Sequence, residues 1–498
     1  MTSADPSSAE PSDLAARAAQ QHVVVIGGGI GGLVAARECA KVGMRVTLLE
    51  ARDALGGSIR SADLDGIVVD AGAESFATRG GTVRALVEEL GLADAIVRPE
   101  GGGAWLSGIP DAPDAPLPVG GILGIPANPF ADDVRRIIGW RGAWRAYVDR
   151  LRPPLTIGHE RSLGKLVRSR MGARVRDRLV APVTAGVYSA HPDEVDTDVA
   201  APGLNAALTR IGSLSGAVDA LRADQKQKAG KAPGSAVLGI SGGMGRLVEA
   251  LRADVEAYGV EVRTGVTVTS IERTGSAWTV QIEVPDADED EAPDAAAEPL
   301  TATGVIVATA EPPARALLAG HVDGLGEPGA APEIEIVTLL LDAPELDAAP
   351  RGSGVLTVPG SHTAKALTHS TAKWGWLREA TDGRHVVRVS FGTQGEAAAT
   401  AGLDDDGAAQ LALTEASALL GVALSPSQLV ASHRARFVQA QPTSLIGAAE
   451  RREAVRKAVQ RTPGLAVVGA WLAGTGLAQV IPDAVAEADR LRHALLWR

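Results

Sequence analysis

The pattern of hydrophobic positions near the start of the chain predicts a strand, a helix and a second strand in succession. Residues 22–26 form a short β-branched run, which is typical of a strand buried on both faces. A glycine-rich loop follows, and Leu33 and Ala36 then begin an apolar stripe at helical spacing that stops at Gly43. Residues 45–49 predict the second strand.

The loop between the first strand and the helix has the glycine spacing of a dinucleotide-binding turn. Gly27 permits the tight turn, Gly29 lets the backbone approach a pyrophosphate, and Gly32 lets the helix pack on the strand. Glu50 ends the second strand 18 positions beyond Gly32, where a carboxylate can accept hydrogen bonds from an adenosine ribose. A glycine-rich loop alone also occurs without a cofactor, but the elements in register favour binding. The predicted contacts in this loop are Gly27, Gly28, Gly29, Ile30, Gly31 and Gly32.

Farther along, helical blocks and strands follow one another. Val83, Leu86 and Leu90 predict an amphipathic helix, and residues 131–220 carry helical spacing in two blocks. Turn-separated strands between residues 335 and 436 predict a mixed sheet. Other strands are predicted at residues 260–263, 266–271, 278–284, 305–308 and 465–468, the last one leading through a loop into a helix.

Length and composition limit the classes of protein that fit. A chain of 498 residues exceeds what one hydrophobic core usually serves, so two or three domains are expected. The net charge of −12 disfavours a nucleic-acid partner, and no metal site is predicted. Cys39 is the single cysteine, which excludes an internal disulfide and fits a small core residue. Residues 1–21 predict a disordered tail rather than a secretory signal, and no apolar run is long enough to span a membrane, so we expect a cytoplasmic protein.

Further segments resemble the flavin amine-oxidase superfamily and imply FAD as the cofactor. Residues 50–60 resemble the glycine doublet that in this family continues past the ribose carboxylate, and residues 69–76 the segment that passes close to the isoalloxazine. Residues 469–478 resemble the closing loop of the FAD domain, where a helix N-terminus would stabilise negative charge on the reduced ring. The resemblance adds the following cofactor contacts to Glu50: Ala51, Arg52, Gly56, Gly57, Ser58, Gly72, Ala73, Glu74, Ser75, Val268, Ala308, Gly474, Gly476, Leu477 and Ala478.

Pattern and resemblance together predict an α/β protein, α+β overall, with a Rossmann-type FAD-binding domain, a mixed-sheet substrate domain and a helical subdomain. The boundaries are expected at residues 22–95, 236–320 and 455–498 for the FAD-binding domain, 96–130 and 321–454 for the substrate-binding domain, and 131–235 for the helical subdomain. The acidic Pro/Ala loop of residues 285–299 is expected to be a disordered hairpin tip.

Three segments are more specific, because they resemble coproporphyrinogen and protoporphyrinogen oxidases in order and spacing: residues 117–126, 182–195 and 354–359. This resemblance implies that a reduced cyclic tetrapyrrole, coproporphyrinogen III or protoporphyrinogen IX, loses six electrons in three flavin turnovers during haem synthesis. No second dinucleotide fingerprint follows downstream, so electrons are expected to leave the flavin to molecular oxygen, with another external acceptor as the alternative. Arg79 is the favoured contact for a substrate propionate, with a solvated surface arginine as the alternative, and the catalytic residue is unknown.

Residues 437–448 and 479–482 depart from the family pattern near the expected meeting point of flavin and substrate, which leaves the substrate open. One alternative is an amine oxidase, which should place two aromatic side chains beside the flavin, although only Trp471 and Trp497 stand near the end of this chain. A carotenoid-type desaturase would share the fingerprint but not the three specific segments. A non-catalytic haem-pathway scaffold that holds FAD is a further alternative.

A local excess of positive charge marks the helical block. Residues 131–180 contain thirteen Lys and Arg against five Asp and Glu. This excess could attract a carboxylate-rich substrate, or dock the helical subdomain on anionic lipid or on another enzyme of the haem pathway. A solvated helix face is the alternative interpretation.

Overall fold

The structure is a computed structural model that describes residues 11–151, 160–228, 237–283, 298–328, 332–438 and 444–497. Its strands are β1 (His22–Ile26), β2 (Arg45–Leu49), β3 (Ser61–Leu64), β4 (Ile67–Asp70), β5 (Phe76–Ala77), β6 (Ile96–Val97), β7 (Ala104–Ser107), β8 (Ala115–Pro116), β9 (Gly121–Ile122), β10 (Ile125–Pro126), β11 (Val237–Ile240), β12 (Glu261–Arg263), β13 (Thr267–Thr274), β14 (Ala277–Glu283), β15 (Leu300–Ala302), β16 (Gly304–Val307), β17 (Glu333–Leu341), β18 (Gly354–Thr357), β19 (Ala366–His369), β20 (His385–Phe391), β21 (Leu429–Val438) and β22 (Leu465–Val467). Its α-helices are α1 (Pro11–Ala19), α2 (Ile30–Ala40), α3 (Thr82–Glu89), α4 (Asp132–Tyr147), α5 (Leu163–Met171), α6 (Ala173–Val175), α7 (Ala181–Tyr188), α8 (Thr197–Ala200), α9 (Leu204–Ile211), α10 (Leu214–Lys228), α11 (Gly245–Ala257), α12 (Glu311–Leu318), α13 (Ser370–Lys373), α14 (Gly375–Ala380), α15 (Asp405–Leu420), α16 (Ala448–Gln460), α17 (Ala470–Ala473) and α18 (Leu477–Leu496).

A five-stranded parallel sheet in the order β12-β2-β1-β16-β22 carries the predicted strand, helix and second strand. The predicted α/β fold with a Rossmann-type sheet is therefore confirmed. Helix α2 is buried on nearly all sides rather than along one stripe, because α11 and α18 both pack against it. Its Arg37 is neutralised by Asp254 at 2.5 Å and Glu89 at 2.9 Å. Burial raises the pKa of Cys39 to about 12, as expected of an inert core thiol.

A seven-stranded mixed sheet in the order β21-β17-β20-β19-β18-β7-β8 confirms the predicted second sheet. Its β18–β7 pair is parallel and its other pairs are antiparallel. One face of this sheet packs against α15 through residues such as Leu339, Val387 and Phe391. Two short strands that were not predicted, β7 and β8, extend the sheet with residues from well before the helical block.

Helices α4 to α10 form the predicted helical block around their own core, which includes Ile137, Leu163, Val167 and Leu179. Helix α4 is broken at Gly139, whose φ of 68° and ψ of 171° lie outside the helical region. The domain boundaries stay a prediction. The hairpin tip expected at residues 285–299 falls mostly outside the described residues, although β14 and β15 pair as a hairpin requires.

The prediction of a disordered tail is wrong for Pro11–Ala19, which form helix α1. The physical reason is a short apolar stripe in which Ala18 is fully buried in the core beside α18. Residues 1–10 lie outside the described residues. In the part of the chain that the structure describes, we find no helix with the length and apolar character needed to cross a bilayer.

Candidate functional site

Two helix N-termini meet beside the carboxyl ends of the parallel strands. Helix α2 begins after Gly29 and helix α18 after Gly476, and neither N-terminus has a side-chain cap. The two ends are close, since a Cβ added to Gly31 would lie 3.3 Å from Val480 of α18. The unpaired N–H groups and dipoles of both helices therefore face one region, which favours a bound anion.

The glycine loop leaves open space in front of α2. A Cβ on Gly32 would lie only 1.9 Å from the Gly27 carbonyl oxygen, so packing alone requires glycine there. At Gly29 the nearest atom to an added Cβ would be the Gly57 Cα at 3.7 Å, an ordinary contact. No described protein atom thus requires glycine at position 29. The space at Gly29 fits the close approach of a pyrophosphate.

Glu50 organises this loop from the end of β2. Its carboxylate accepts a hydrogen bond from the Gly28 N–H at 2.7 Å and one from the Arg52 N–H at 3.1 Å. Each carboxylate oxygen has a lone pair left that can accept a hydrogen bond from a ribose hydroxyl, so the role of Glu50 stays a prediction that this geometry permits. The Val266 N–H donates to the Glu50 carbonyl at 3.0 Å, which brings Val268 close to the predicted adenosine side.

The two segments predicted on the flavin side lie against each other and against the glycine loop. The Gly56 N–H donates to the Gly28 carbonyl at 2.9 Å, and the Ala73 N–H donates to the Ser58 carbonyl at 3.0 Å. Gly72 lies so close that an added Cβ would be 2.1 Å from the Ser58 carbonyl oxygen. The predicted contacts in these segments therefore form one continuous backbone surface next to the N-terminus of α2.

Glu74 turns its carboxylate toward the second sheet. It pairs with Arg388 of β20 at 2.9 Å and with Lys373, and accepts a hydrogen bond from Ser370 at 3.2 Å. Arg388 also donates to the Gly72 carbonyl. Burial would raise the pKa of Glu74, but Arg388 and Lys373 outweigh burial and lower the pKa to about 2.

Arg388 and Lys373 were not predicted as part of the site. The signal that could have found Arg388 is its position as one arginine in an otherwise largely apolar strand, HVVRVSF. A buried cation in such a strand requires a partner from another segment. Here that partner is Glu74, so the pair attaches the second sheet to the segment predicted to face the flavin.

The structure brings Arg79 close to two of the three specific segments. Arg79 is exposed, and its charge acts on Tyr188 at the end of α7: burial raises the pKa of Tyr188 and Arg79 opposes this rise. Gly186 of the same helix faces β18, since an added Cβ would lie 2.6 Å from the Leu356 side chain. The segments 182–195 and 354–359 are thus neighbours. The segment 117–126 packs against the helical block, with Gly124 next to the Leu179 carbonyl.

The departures from the family pattern adjoin these elements. Gln479, in the first turn of α18, lies over Gly474, where an added Cβ would be 2.2 Å from the Gln479 Oε1. At the other departure, Leu445 forms a β-bridge with Val195, while residues 439–443 lie outside the described residues.

Trp471 and Trp497 do not form the aromatic pair of an amine-oxidase site. Trp471 is buried in α17, with its ring 5.7 Å from the Arg315 guanidinium carbon. Trp497 follows the far end of α18, whose 20 residues span about 30 Å at 1.5 Å per residue, and it stacks on His493.

Comparison with known proteins identifies relatives over nearly the whole chain. A family model described as "Flavin containing amine oxidoreductase" matches residues 30–491. A coproporphyrinogen III oxidase of Propionibacterium freudenreichii is 27% identical, with 95% of this chain and 91% of the relative covered. A coproporphyrinogen III oxidase of Mycobacterium tuberculosis is 30% identical, with 94% and 95% covered. A crystal structure from Exiguobacterium sp. 255-15, provisionally named a protoporphyrinogen oxidase, matches with a TM-score of 0.79 and 23% identity, covering 95% of this chain and 99% of that chain.

Proposed function

This chain belongs to the family of flavin containing amine oxidoreductases, and from that premise we propose that it oxidises coproporphyrinogen III to coproporphyrin III in haem synthesis. The single observation that carries this proposal is the collinear similarity, over 94–95% of the chain, to relatives named coproporphyrinogen III oxidase. Protoporphyrinogen IX, the substrate in the name of a more distant tobacco relative that matches 37% of this chain, is the second candidate.

The proposed cofactor is FAD, held at the two helix N-termini. Gly29 and the first turn of α2 would receive the pyrophosphate, and Glu50 would accept hydrogen bonds from the ribose. When bound, the flavin supplies an acceptor for two electrons and a proton. The pairing of Arg388 with Glu74 holds the backbone at Gly72 in place beside the proposed flavin. Helix α18 would direct its positive end toward negative charge at the site.

Arg79 is the proposed contact for a substrate propionate. It is exposed, and in the described part of the chain it forms no ion pair, so its charge is available to a ligand. Its neighbour Tyr188 supplies a half-buried aromatic wall next to that cation. Molecular oxygen is the proposed electron acceptor, in which case each porphyrin formed would consume three molecules of oxygen and release three of hydrogen peroxide.

A fluorescence assay tests this proposal. The purified protein is examined for the visible absorbance of bound flavin, and porphyrin fluorescence is then followed after addition of coproporphyrinogen III or protoporphyrinogen IX, first without and then with air. We expect oxygen-dependent fluorescence growth above the spontaneous rate, faster with coproporphyrinogen III. A yellow protein that oxidises an amine such as putrescine, or that is inactive with every substrate, would contradict it.

We also propose that the helical block contacts an anionic membrane surface through α4. Part of its basic excess is used internally, because Arg174 and Arg178 donate to carbonyls of α4. Two exposed tryptophans remain, Trp140 and Trp144, with side chains 60% and 57% exposed beside the exposed Arg141. Exposed tryptophan next to arginine is the composition that binds at the headgroup level of anionic bilayers.

Vesicle binding tests this surface. We expect the protein to sediment with phosphatidylglycerol vesicles but not with phosphatidylcholine vesicles, and a Trp140→Ser, Trp144→Ser variant to lose that binding. Trp497→Ser is the matched control, because its side chain is 48% exposed elsewhere on the molecule. Equal binding by both variants, or none by the wild-type protein, would leave α4 as a solvated face and overturn the proposal.

A further inference from the structure

In the part of the chain that the structure describes, Lys365 is a buried lysine without a carboxylate partner. It directly precedes β19, only 8% of it is exposed, and its Nζ donates a hydrogen bond to the Ser189 hydroxyl at 2.6 Å. Within the described ranges, the Ser189 hydroxyl is the side chain that bonds the Lys365 ammonium group. Burial lowers the pKa of Lys365 to about 7, and no carboxylate among the described residues offsets that effect.

The other buried cations of the described chain are paired differently. Arg37 has Asp254 and Glu89, and Arg388 has Glu74, so each meets at least one carboxylate within 3 Å. Lysine is among the residues that proteins rarely bury without such a partner, because desolvation of an unpaired ammonium is costly. Lys365 therefore differs from the other buried cations of the described chain, and a ligand carboxylate would supply the partner that it lacks there.

The position of Lys365 places that charge close to the proposed substrate site. Ser189 caps the C-terminus of α7 in the left-handed region, with a φ of 53°. It directly follows Tyr188, where the charge of Arg79 opposes the rise in pKa that burial causes. One turn earlier, Gly186 faces Leu356 of β18, the strand that pairs with β19. The C-terminal end of α7 is therefore near two cations: Lys365, which bonds Ser189 directly, and Arg79, whose charge acts on Tyr188.

We propose that Lys365, oriented by Ser189, binds a second carboxylate of the substrate, while Arg79 binds the first. This inference rests on the proposed porphyrinogen oxidase function and deepens it by naming a second residue at the rim of the macrocycle. Coproporphyrinogen III has a propionate on each of its four pyrrole rings, whereas protoporphyrinogen IX has propionates on only two adjacent rings. Because coproporphyrinogen III offers four propionates to the two cations at this helix end and protoporphyrinogen IX only two, we expect the tetracarboxylate to be preferred.

The test uses Lys365→Met, which keeps the length of the side chain and removes the charge, with Lys165→Met on the exposed surface of α5 as the matched control. Binding of coproporphyrin III is titrated by its fluorescence on the flavin-loaded protein, so the readout does not depend on turnover. We expect Lys365→Met to weaken this binding about tenfold or more, since a charge-assisted hydrogen bond is lost. The loss for protoporphyrin IX should be smaller, and Lys365→Arg should restore part of the binding.

A second measurement separates binding from structure. If the charge serves a ligand, Lys365→Met should melt at the same or a higher temperature than the wild-type protein, because a buried ammonium has been removed. If Lys365→Met fails to accumulate, Lys365→Gln, which keeps a polar tip, takes its place in both measurements.

Unchanged coproporphyrin binding in the charge-removing variant, or a lower melting temperature with equal losses for both porphyrins, would overturn the role of Lys365 alone. Wild-type protein that neither binds nor oxidises either tetrapyrrole would overturn the proposed function, and this inference with it.

Discussion

Replacing Arg388 by methionine should loosen the attachment of the second sheet to the flavin-side segment. The change leaves Glu74 with Lys373 and Ser370 as its remaining partners and takes a donor away from the Gly72 carbonyl. Both side chains of the pair are nearly buried, with 8% of Arg388 and 11% of Glu74 exposed. Water can therefore do little to replace the lost partner.

The magnitude follows from the pKa of Glu74. A fall from the ordinary 4.5 to about 2 corresponds to about 3 kcal/mol of stabilisation by its two cations, net of burial. Breaking a buried pair by removing one partner typically costs about 3–5 kcal/mol. We therefore expect Arg388→Met to lose about 3 kcal/mol, which is roughly 6–12 °C in the melting temperature of a cooperative unit of 150–250 residues.

Arg378→Met is the matched control for a thermal-melting assay. Arg378 pairs with Glu100 at 2.9 Å, the same distance as in the buried pair, but both side chains are more than half exposed. An exposed pair contributes about 0–1 kcal/mol, so the control should melt close to the wild-type protein. Because Glu74 has a lowered pKa, the effect of Arg388→Met should be full above pH 4.5 and shrink as the pH falls toward 2. Equal melting shifts for the two variants would refute the reasoning.

Three further outcomes are expected. Gly29→Ala should leave the melting temperature of the flavin-free protein unchanged but weaken flavin binding. Gly32→Ala should instead lower the melting temperature, because its Cβ would collide with the Gly27 carbonyl oxygen. Flavin titration and thermal melting of both variants distinguish the two effects. Burial raises the pKa of Asp70 to about 6, so the stability that its protonated form confers is full below pH 3.8 and is lost as the pH rises through 6. Asp70→Asn cannot ionise, so its gain in stability over the wild-type protein should be larger at pH 8 than at pH 4 by about 3 kcal/mol, as unfolding curves would show. Arg79→Met should raise the KM for coproporphyrinogen III about tenfold without changing the flavin spectrum. An unchanged KM would contradict a role for Arg79 in substrate binding.

The fold was predictable where one short stretch of sequence contains both the hydrophobic pattern of a strand and helix and the glycines of the cofactor loop. The run of residues 22–26, the glycine loop and Glu50 lie within one short stretch of sequence, so strand, turn and helix could be predicted from it. Strand β11 was missed, since the strands it pairs with in the described chain, β5 and β6, are two residues long and far away in sequence. Helix α1 was missed because its composition is that of a tail, and its burial against α18 depends on tertiary contact.

Within the candidate site, backbone contacts were easier to predict than side-chain partners. A glycine at a helix N-terminus has its role in its local sequence, whereas Glu74 and Arg388 are more than 300 positions apart and meet only in the folded chain. Lys365 and Ser189 are also distant in sequence, and although Ser189 lies in the segment 182–195, nothing in the sequence linked it to Lys365. The sequence therefore predicted the cofactor class well, and gave less information about the charges that surround the substrate.

The most direct test of the central claim is to mix the flavin-loaded protein with coproporphyrinogen III in the absence of oxygen and to follow the visible absorbance of the flavin. The account predicts that the oxidised-flavin band bleaches at least as fast as the enzyme turns over, and that air restores it while porphyrin accumulates. Flavin that stays oxidised while porphyrin forms only at the spontaneous rate would contradict it.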